Sequence, residues 1–202
     1  MRQINRARSA LEAAQSAGKN AILRSLWLAK AADYGIKGRA VLVGGTAVNL
    51  HTGSYRPTDI DMCALLDASD RQALVELGFI NSQGDHFEYQ FADGELWLLE
   101  FPDSQVDGDV DLIALSSEDQ LAVIRQESLI VDRLLQATDG TEITFQEAVR
   151  LCAVVYASTN WTWVESEIGK RDSLEPGLQL AATLARVMEE VRARLDPGHQ
   201  GG

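Results

Sequence analysis

Between Arg71 and Arg125 the chain has no lysine or arginine, although twelve acids, from Glu76 to Asp119, fall in that interval. The stretch reads as a solvated acidic face, with a basic partner or a metal site as the sharper alternative. With a net charge of −12, nonspecific binding of nucleic acid by the surface as a whole is disfavoured. Cysteine is scarce: Cys63 and Cys152 stand alone in apolar contexts, without the close spacing of a zinc or redox pair. Two buried thiols in a reducing compartment are expected. Long apolar runs are missing too, since Ala-Val-Leu-Val at 40–43 and Leu-Trp-Leu-Leu at 96–99 are far too short to span a bilayer. There is no signal-peptide apolar segment near the N-terminus, so a cytoplasmic protein without membrane association is expected. Internal repeats and low-complexity tracts are absent.

What is present is enough apolar material for one core, or one core plus a helical extension: 202 residues, 46% hydrophobic and 24% charged. The charge is divided. Residues 1–40 carry eight Lys/Arg against Glu12 and Asp33, a net of +6, so the other 162 residues carry −18. Phosphate contacts to an RNA acceptor are one use for such a segment, and pairing with the chain's own acids is the other.

Hydrophobic periodicity predicts two opening helices, Ile4 to Gln15 and Asn20 to Tyr34, the first broken at Gly18 and the second stopped by Gly35. A short buried strand at 39–43 leads through Gly44-Gly45 into a helical stretch, 46–51, that ends at Gly53. Residues 60–66 read as the next strand. Asp67 can cap a short helix through Leu77 that Gly78 terminates. Residues 87–91 and 95–101 flank Ala92-Asp93-Gly94 as a hairpin, and 110–115 make one more strand. From Ser116-Ser-Glu-Asp onward the sequence reads as all helical, with a long helix over 116–136, a capping box at Thr144–Glu147 and a last helix near 178–195. A frayed tail is expected after it.

The chemistry lies in the stretch 43–62. Asp59 and Asp61 are two apart on a strand, so their carboxylates point to one face while Ile60 and Met62 face the core. Two carboxylates that close repel each other, and a divalent cation relieves the repulsion. Mg²⁺ prefers oxygen ligands and keeps positions for water and substrate phosphates. A Gly-Gly pair at a strand end lets backbone approach a phosphate, and the helix N-terminus that follows presents N–H groups to its charge. Strand, Gly-Gly, short helix and Asp-x-Asp strand therefore describe a site for a metal-bound nucleoside triphosphate. His51 reads as a helix-end residue or a base. Trp161 and Trp163 read as helix packing or a surface on which a base stacks. His86 and His199 show no partner pattern.

These residues carry a resemblance. Val43-Gly44-Gly45, thirteen residues, and Asp59-Ile60-Asp61 resemble the signature of the polymerase-β-type nucleotidyltransferases, and among them the AbiEii-like and MenT-like toxin enzymes of bacteria. Gly44-Gly45-Thr46-Ala47, Thr58-Asp59-Ile60-Asp61, Leu99-Glu100-Phe101-Pro102 and the run from Ser116 to Asp132-Arg133-Leu134 stand in the order such sequences show, over about residues 38–155. The resemblance implies an α+β minimal nucleotidyltransferase fold followed by a C-terminal helical domain, divided as helices at 1–37, a nucleotidyltransferase core at 38–115 and a helical region at 116–202. It implies transfer of a nucleotide from an NTP to a hydroxyl on a tRNA, a protein or a small molecule, with Mg²⁺ or Mn²⁺, and a possible antitoxin partner. It places a third metal carboxylate on a neighbouring strand: Glu100, with Glu95 and Glu88 as alternatives.

Glu100 shares strand parity with Leu96 and Leu98, an apolar row in which a charge needs a partner, whereas Glu95, beside Gly94, is expected to reach water. Gly44, Gly45 and Thr46 are expected at the phosphates. Where such sequences often carry a lysine before Asp132, this chain has Val131, and Arg133, Arg125 or Arg56 are the cations that could replace it. The same fold without turnover, as a nucleotide-binding or protein-interaction module, is the competing expectation.

Overall fold

The computed structural model describes residues 2–53 and 57–196. The chain forms two compact units, divided between Ile124 and Arg125.

The first unit is a seven-stranded mixed sheet with four helices. In chain order these are α1 (Arg2–Ser16), α2 (Ala21–Gly35), β1 (Val41–Val43), α3 (Gly44–Thr52), β2 (Asp59–Cys63), α4 (Ala68–Glu76), β3 (Ile80–Gln83), β4 (His86–Gln90), β5 (Leu96–Glu100), β6 (Val110–Ala114) and β7 (Gln120–Ile124). Across the sheet the order is β3-β4-β5-β2-β1-β7-β6. The β1–β7 and β2–β5 pairs are parallel, and the remaining pairs are antiparallel. This is an α+β architecture, as the sequence implies.

One face of the sheet is covered. Leu42, Ile60 and Met62 on the two central strands, with Phe87, Trp97, Leu99, Leu121 and Val123 beside them, are buried. Helix α2 packs against α1, β2, β7, α3 and α4, which is why its residues are buried almost all round rather than along one stripe. Asn20 starts it by accepting a hydrogen bond from Leu23 N–H. The opposite face presents Asp59, Asp61, Leu96, Leu98 and Glu100, and Leu96 and Leu98 on it are exposed.

Several elements sit where the periodicity puts them. Asp67 caps α4, and Asp70 completes the capping box by accepting from Asp67 N–H. Asp70 is wholly buried. Burial opposes its charge, but the Asp67 N–H, Arg39 and Lys37 outweigh that and hold its carboxyl below the usual range.

Four expectations need correction. The helix predicted to open at Ser116 begins ten residues later, and residues 120–124 are strand β7 between β1 and β6. Ser116 does act as a cap, but of a tight turn: its Oγ accepts from Glu118 N–H and Asp119 N–H, and Leu115 N–H donates to Asp119 O. The second strand stops at Cys63, because Ala64 N–H turns to Asp103 O instead of continuing the ladder. The polar segment Ile80–Gln83, unassigned from sequence, is the edge strand β3. The helix with the expected capping box at Thr144 starts one turn earlier, with Thr141 accepting from Thr144 N–H.

The second unit consists of α5 (Gln126–Ala137), α6 (Glu142–Val155), α7 (Trp161–Leu174) and α8 (Leu180–Leu195). Its core is built from Leu129, Ile130, Leu134, Val149, Cys152, Val164, Ile168, Leu180 and Val187. Burial pushes the Cys152 thiol up to about 12, so it behaves as an apolar side chain. Cys63 is also buried, as the sequence predicts. No helix among the described residues is long and apolar enough to cross a membrane.

Candidate active site

The central strands bring the acids together. Strand β2 alternates half-buried Asp59 and Asp61 with buried Ile60 and Met62, so both carboxylates leave the sheet on the face opposite Ile60 and Met62. Asp61 stands opposite Val43, the last residue of β1, and on its other side opposite Glu100 of β5. Asp61 and Glu100 thus occupy adjoining strands in one row, at the roughly 4.8 Å interstrand spacing of a sheet. Asp59 lies one pleat along on the same face, opposite Leu98.

At the end of β1 the chain turns through Gly44, with φ +62°, into α3. A Cβ on Gly44 would lie 1.8 Å from Asp61 Oδ2 and 2.7 Å from Asp61 Cβ. The glycine therefore does two things: it adopts a left-handed conformation, and it leaves the space that the Asp61 carboxylate fills. Sequence reasoning assigned that space to phosphate; in the structure Asp61 takes it at Gly44. Gly45 stands half-buried in the first turn of α3, whose N-terminus has no side-chain cap. Its orphan N–H groups are donors of the kind that bind anions. Thr46 is wholly buried, and its hydroxyl donates to Asp59 O at 2.8 Å, tying α3 to the acid-bearing strand.

The alternatives for the third acid separate cleanly. Glu95 forms a very short hydrogen bond with Arg24, and Asp93 accepts from the same guanidinium at 2.9 Å. Arg24 is only 1% exposed and lies over the Phe91 ring. The expectation that Glu95 simply reaches water is thus corrected: a buried cation 71 residues away holds it. Glu88 shares the row of Asp59 but is two strands away, with Leu98 between. Glu100 alone adjoins Asp61. The reason given from sequence does not hold, because Leu96 and Leu98 are exposed and a charge in their row needs no special partner.

Glu100 nevertheless has one. His86, read as partnerless, stands opposite it on β4, and His86 Nδ1 lies 3.0 Å from Glu100 Oε1. The hairpin carried the signal: with Phe91 opposite Glu95, five steps out along each arm pair His86 with Glu100. His51 Nε2 is 2.9 Å from Ile124 O, a helix-end anchor rather than a base.

Asp132 and Arg133 belong to the second unit, on α5. Gln136 bridges them, donating to Asp132 Oδ2 and accepting from Arg133 Nη1, and Arg133 also faces Glu147 on α6 at 3.8 Å. Val131 is packed in the helical core. Arg125 is the N-cap residue of α5, and Arg56 lies outside the described residues. Trp161 donates its indole N–H to Tyr156 O and stacks at a tilt on the Tyr156 ring, which is a packing role.

The cations of the N-terminal segment are largely occupied. Arg6 pairs with Asp119, Arg24 with Asp93 and Glu95, Lys30 with Asp33, Lys37 with Asp70, and Arg39 with Asp70. Five of the eight Lys/Arg of residues 1–40 thus pair with the chain's own acids, and Arg2, Arg8 and Lys19 are exposed.

Asp59, Asp61 and Glu100 offer hard oxygen donors on one face of the sheet, next to a carboxylate cradle at Gly44, and that donor chemistry fits a divalent cation such as Mg²⁺. As the side chains stand, no three His, Cys, Asp or Glu among the described residues gather around one point closely enough to hold a metal ion. Glu100 is turned to His86 and Asp61 to Gly44.

No family model and no curated protein matches the chain. Among solved structures, it is similar to an antigenic nucleotidyltransferase-like protein from Paracoccidioides brasiliensis, at 13% identity and a TM-score of 0.48, over 72% of this chain and 84% of that one. It is also similar to the antibiotic-resistance factor ANT(2'')-Ia, at 16% identity and a TM-score of 0.44, over 72% and 90%. Similarity at that level carries no argument about activity, which has to rest on the site's own residues.

Proposed function

We propose that this chain is a metal-dependent nucleotidyltransferase that moves an NMP from an NTP to an acceptor hydroxyl. The observation that carries the reading is the row of Asp61 beside Glu100, with Asp59 one pleat away and a strand–Gly-Gly–helix turn immediately adjacent. Asp59 and Asp61 would hold the divalent metal, Mg²⁺ or Mn²⁺, and Glu100 would contribute beside Asp61 to a second ion. Such ions, when bound, would neutralise charge at the triphosphate and activate the attacking hydroxyl. Gly45 and the first turn of α3 offer N–H donors to the β and γ phosphates. Thr46 supports them by fixing that turn to β2, its hydroxyl being donated to Asp59 O. The acceptor oxygen bonds to the α-phosphorus, the α–β anhydride breaks, pyrophosphate leaves, and the hydroxyl proton passes toward Glu100.

The acceptor, whether tRNA, protein or small molecule, and a toxin role with a basic antitoxin on the acidic stretch from Glu76 to Asp119, belong to the same proposal as its finer parts. Arg6, Arg24, Lys30, Lys37 and Arg39 pair with acids, which leaves exposed Arg2, Arg8 and Lys19 as the N-terminal cations for an RNA acceptor. A second reading, a nucleotide-binding module without turnover, is favoured by the buried Val131 where the resemblance expects a lysine.

Thermal melts with Mg²⁺ and each NTP test the metal-nucleotide site. A ligand at 100 times its Kd stabilises the folded state by about 2.7 kcal/mol, a rise of several degrees. Wild type should show that rise with at least one NTP and Asp61→Asn should not. No rise in wild type with any NTP overturns the reading.

A further inference from the structure

We propose that His86 is a positioning residue for Glu100: its ring fixes one carboxylate oxygen so that the other is presented to the metal shared with Asp61. This rests on the nucleotidyltransferase reading above and assigns a residue that the motif does not contain.

The pairing is set by the sheet. His86, Glu100 and Asp61 stand opposite one another on three adjoining strands, so all three side chains emerge on one face in a single row. Nδ1 of His86 and Oε1 of Glu100 are 3.0 Å apart. A carboxylate only accepts hydrogen bonds, so Nδ1 carries the hydrogen and donates it. With Oε1 engaged, Glu100 has its Oε2 left to turn toward Asp61.

The histidine sits on a hydrogen-bonded corner. Asn81 Nδ2 donates to Gly84 O at 2.8 Å and to His86 O at 3.3 Å, and Ser82 Oγ also reaches His86 O at 3.3 Å. The preceding residue is clamped as well: Asp85 O accepts from Phe101 N–H, and its carboxylate accepts from Arg71 at 2.6 and 2.8 Å. Irregular pairing between Asn81 and Gln83 marks the same corner. An exposed histidine bonded to a half-buried acid is worth little to stability, since water still reaches both groups; the His86 side chain is 58% exposed and that of Glu100 32%. So much local order around a pair that adds little stability suits an orienting role, as with the outer groups that hold metal-ligating side chains in place.

The test is Mn²⁺ binding followed by EPR on the full chain, in the presence of a non-hydrolysable NTP analogue, for wild type, His86→Ala, His86→Asn and Asp61→Asn, with melting curves of each. His86→Ala should weaken Mn²⁺ binding about 10- to 100-fold, the range seen when groups behind a metal ligand are removed. Its melting temperature should stay at the wild-type value. His86→Asn, whose amide N–H can occupy the place of Nδ1–H, should recover most of the affinity. If Asp61→Asn loses Mn²⁺ while His86→Ala binds it as wild type does, the positioning role is overturned and the metal site stands. If Asp61→Asn also binds as wild type does, the metal reading falls and the His86 proposal with it.

Discussion

Gly44 and Asp61 share one space: the carboxylate of Asp61 fills the position that a side chain on Gly44 would need, with Oδ2 1.8 Å from an ideal Cβ. Because Asp61 Cβ would itself be only 2.7 Å away, rotating the carboxylate cannot relieve the overlap. The left-handed φ of Gly44 adds a conformational penalty for any other residue. Gly44→Ala should therefore cost about 1–3 kcal/mol, read as a fall in melting temperature. Adding Asp61→Gly to that variant should recover part of the loss, the steric part, and leave the φ part. Full additivity of the two substitutions would contradict the shared-space account.

Arg24 is a second point where sequence-distant groups meet. Its guanidinium is buried, paired with Asp93 and Glu95 across the β4–β5 turn, and stacked over Phe91. Burial works against the charge, but the two acids more than compensate and raise its pKa. Arg24→Ala removes a buried side chain and its packing on Phe91, while Asp93 and Glu95 keep access to water, and should lower the stability of the chain, measured by urea unfolding. Glu95→Gln, by contrast, should lower stability without touching nucleotide binding, since Glu95 points to Arg24 and not to Asp61.

Asp70 sets a pH dependence. Burial acts against its charge, and the Asp67 N–H, Arg39 and Lys37 reverse that, so its folded-state pKa lies below the model-peptide value of 3.8. The neighbouring cap Asp67 is held at about 2, by Ser69 and the Asp70 N–H. For an acid with a depressed folded pKa, the stabilisation is complete above the unfolded value and is lost as pH falls through the folded one. Melting temperatures of wild type and Asp70→Asn should thus differ at pH 6 and converge as pH falls below about 3.8. A gap that stays constant over that range would mean that the charge of Asp70 plays no part.

The limits of the sequence reading have physical causes. Local chemistry was legible: the Asp67 cap, the Gly44 turn and the Asp59/Asp61 parity each depend on residues within a few positions. What failed depended on distant partners. Ser116-Ser-Glu-Asp has the composition of a helix start, and only pairing of Gln120–Ile124 with β1, some 80 residues earlier, makes that stretch a strand. Strand β3 is polar and exposed at the sheet edge, so it has no hydrophobic alternation to read. Glu95 looked solvent-facing because its partner Arg24 lies in α2. The case of Glu100 is mixed: the residue chosen is the one adjoining Asp61, while the burial argument for it fails because Leu96 and Leu98 are exposed.

The central claim is that Asp61 and Glu100 form one reacting centre, and nucleotidyl transfer tests it most directly. Wild type, Glu100→Gln and Glu95→Gln would be incubated with each α-labelled NTP, Mg²⁺ and a cell lysate as the source of acceptors, and label transferred to any acceptor would be measured. Removing a carboxylate that acts mainly in the transition state lowers turnover more than binding. Wild type should therefore transfer label with at least one NTP, Glu100→Gln at least 100-fold more slowly at saturating Mg²⁺ and NTP, and Glu95→Gln at close to the wild-type rate. Equal transfer by wild type and Glu100→Gln, or no transfer by wild type with any of the four NTPs, would contradict it.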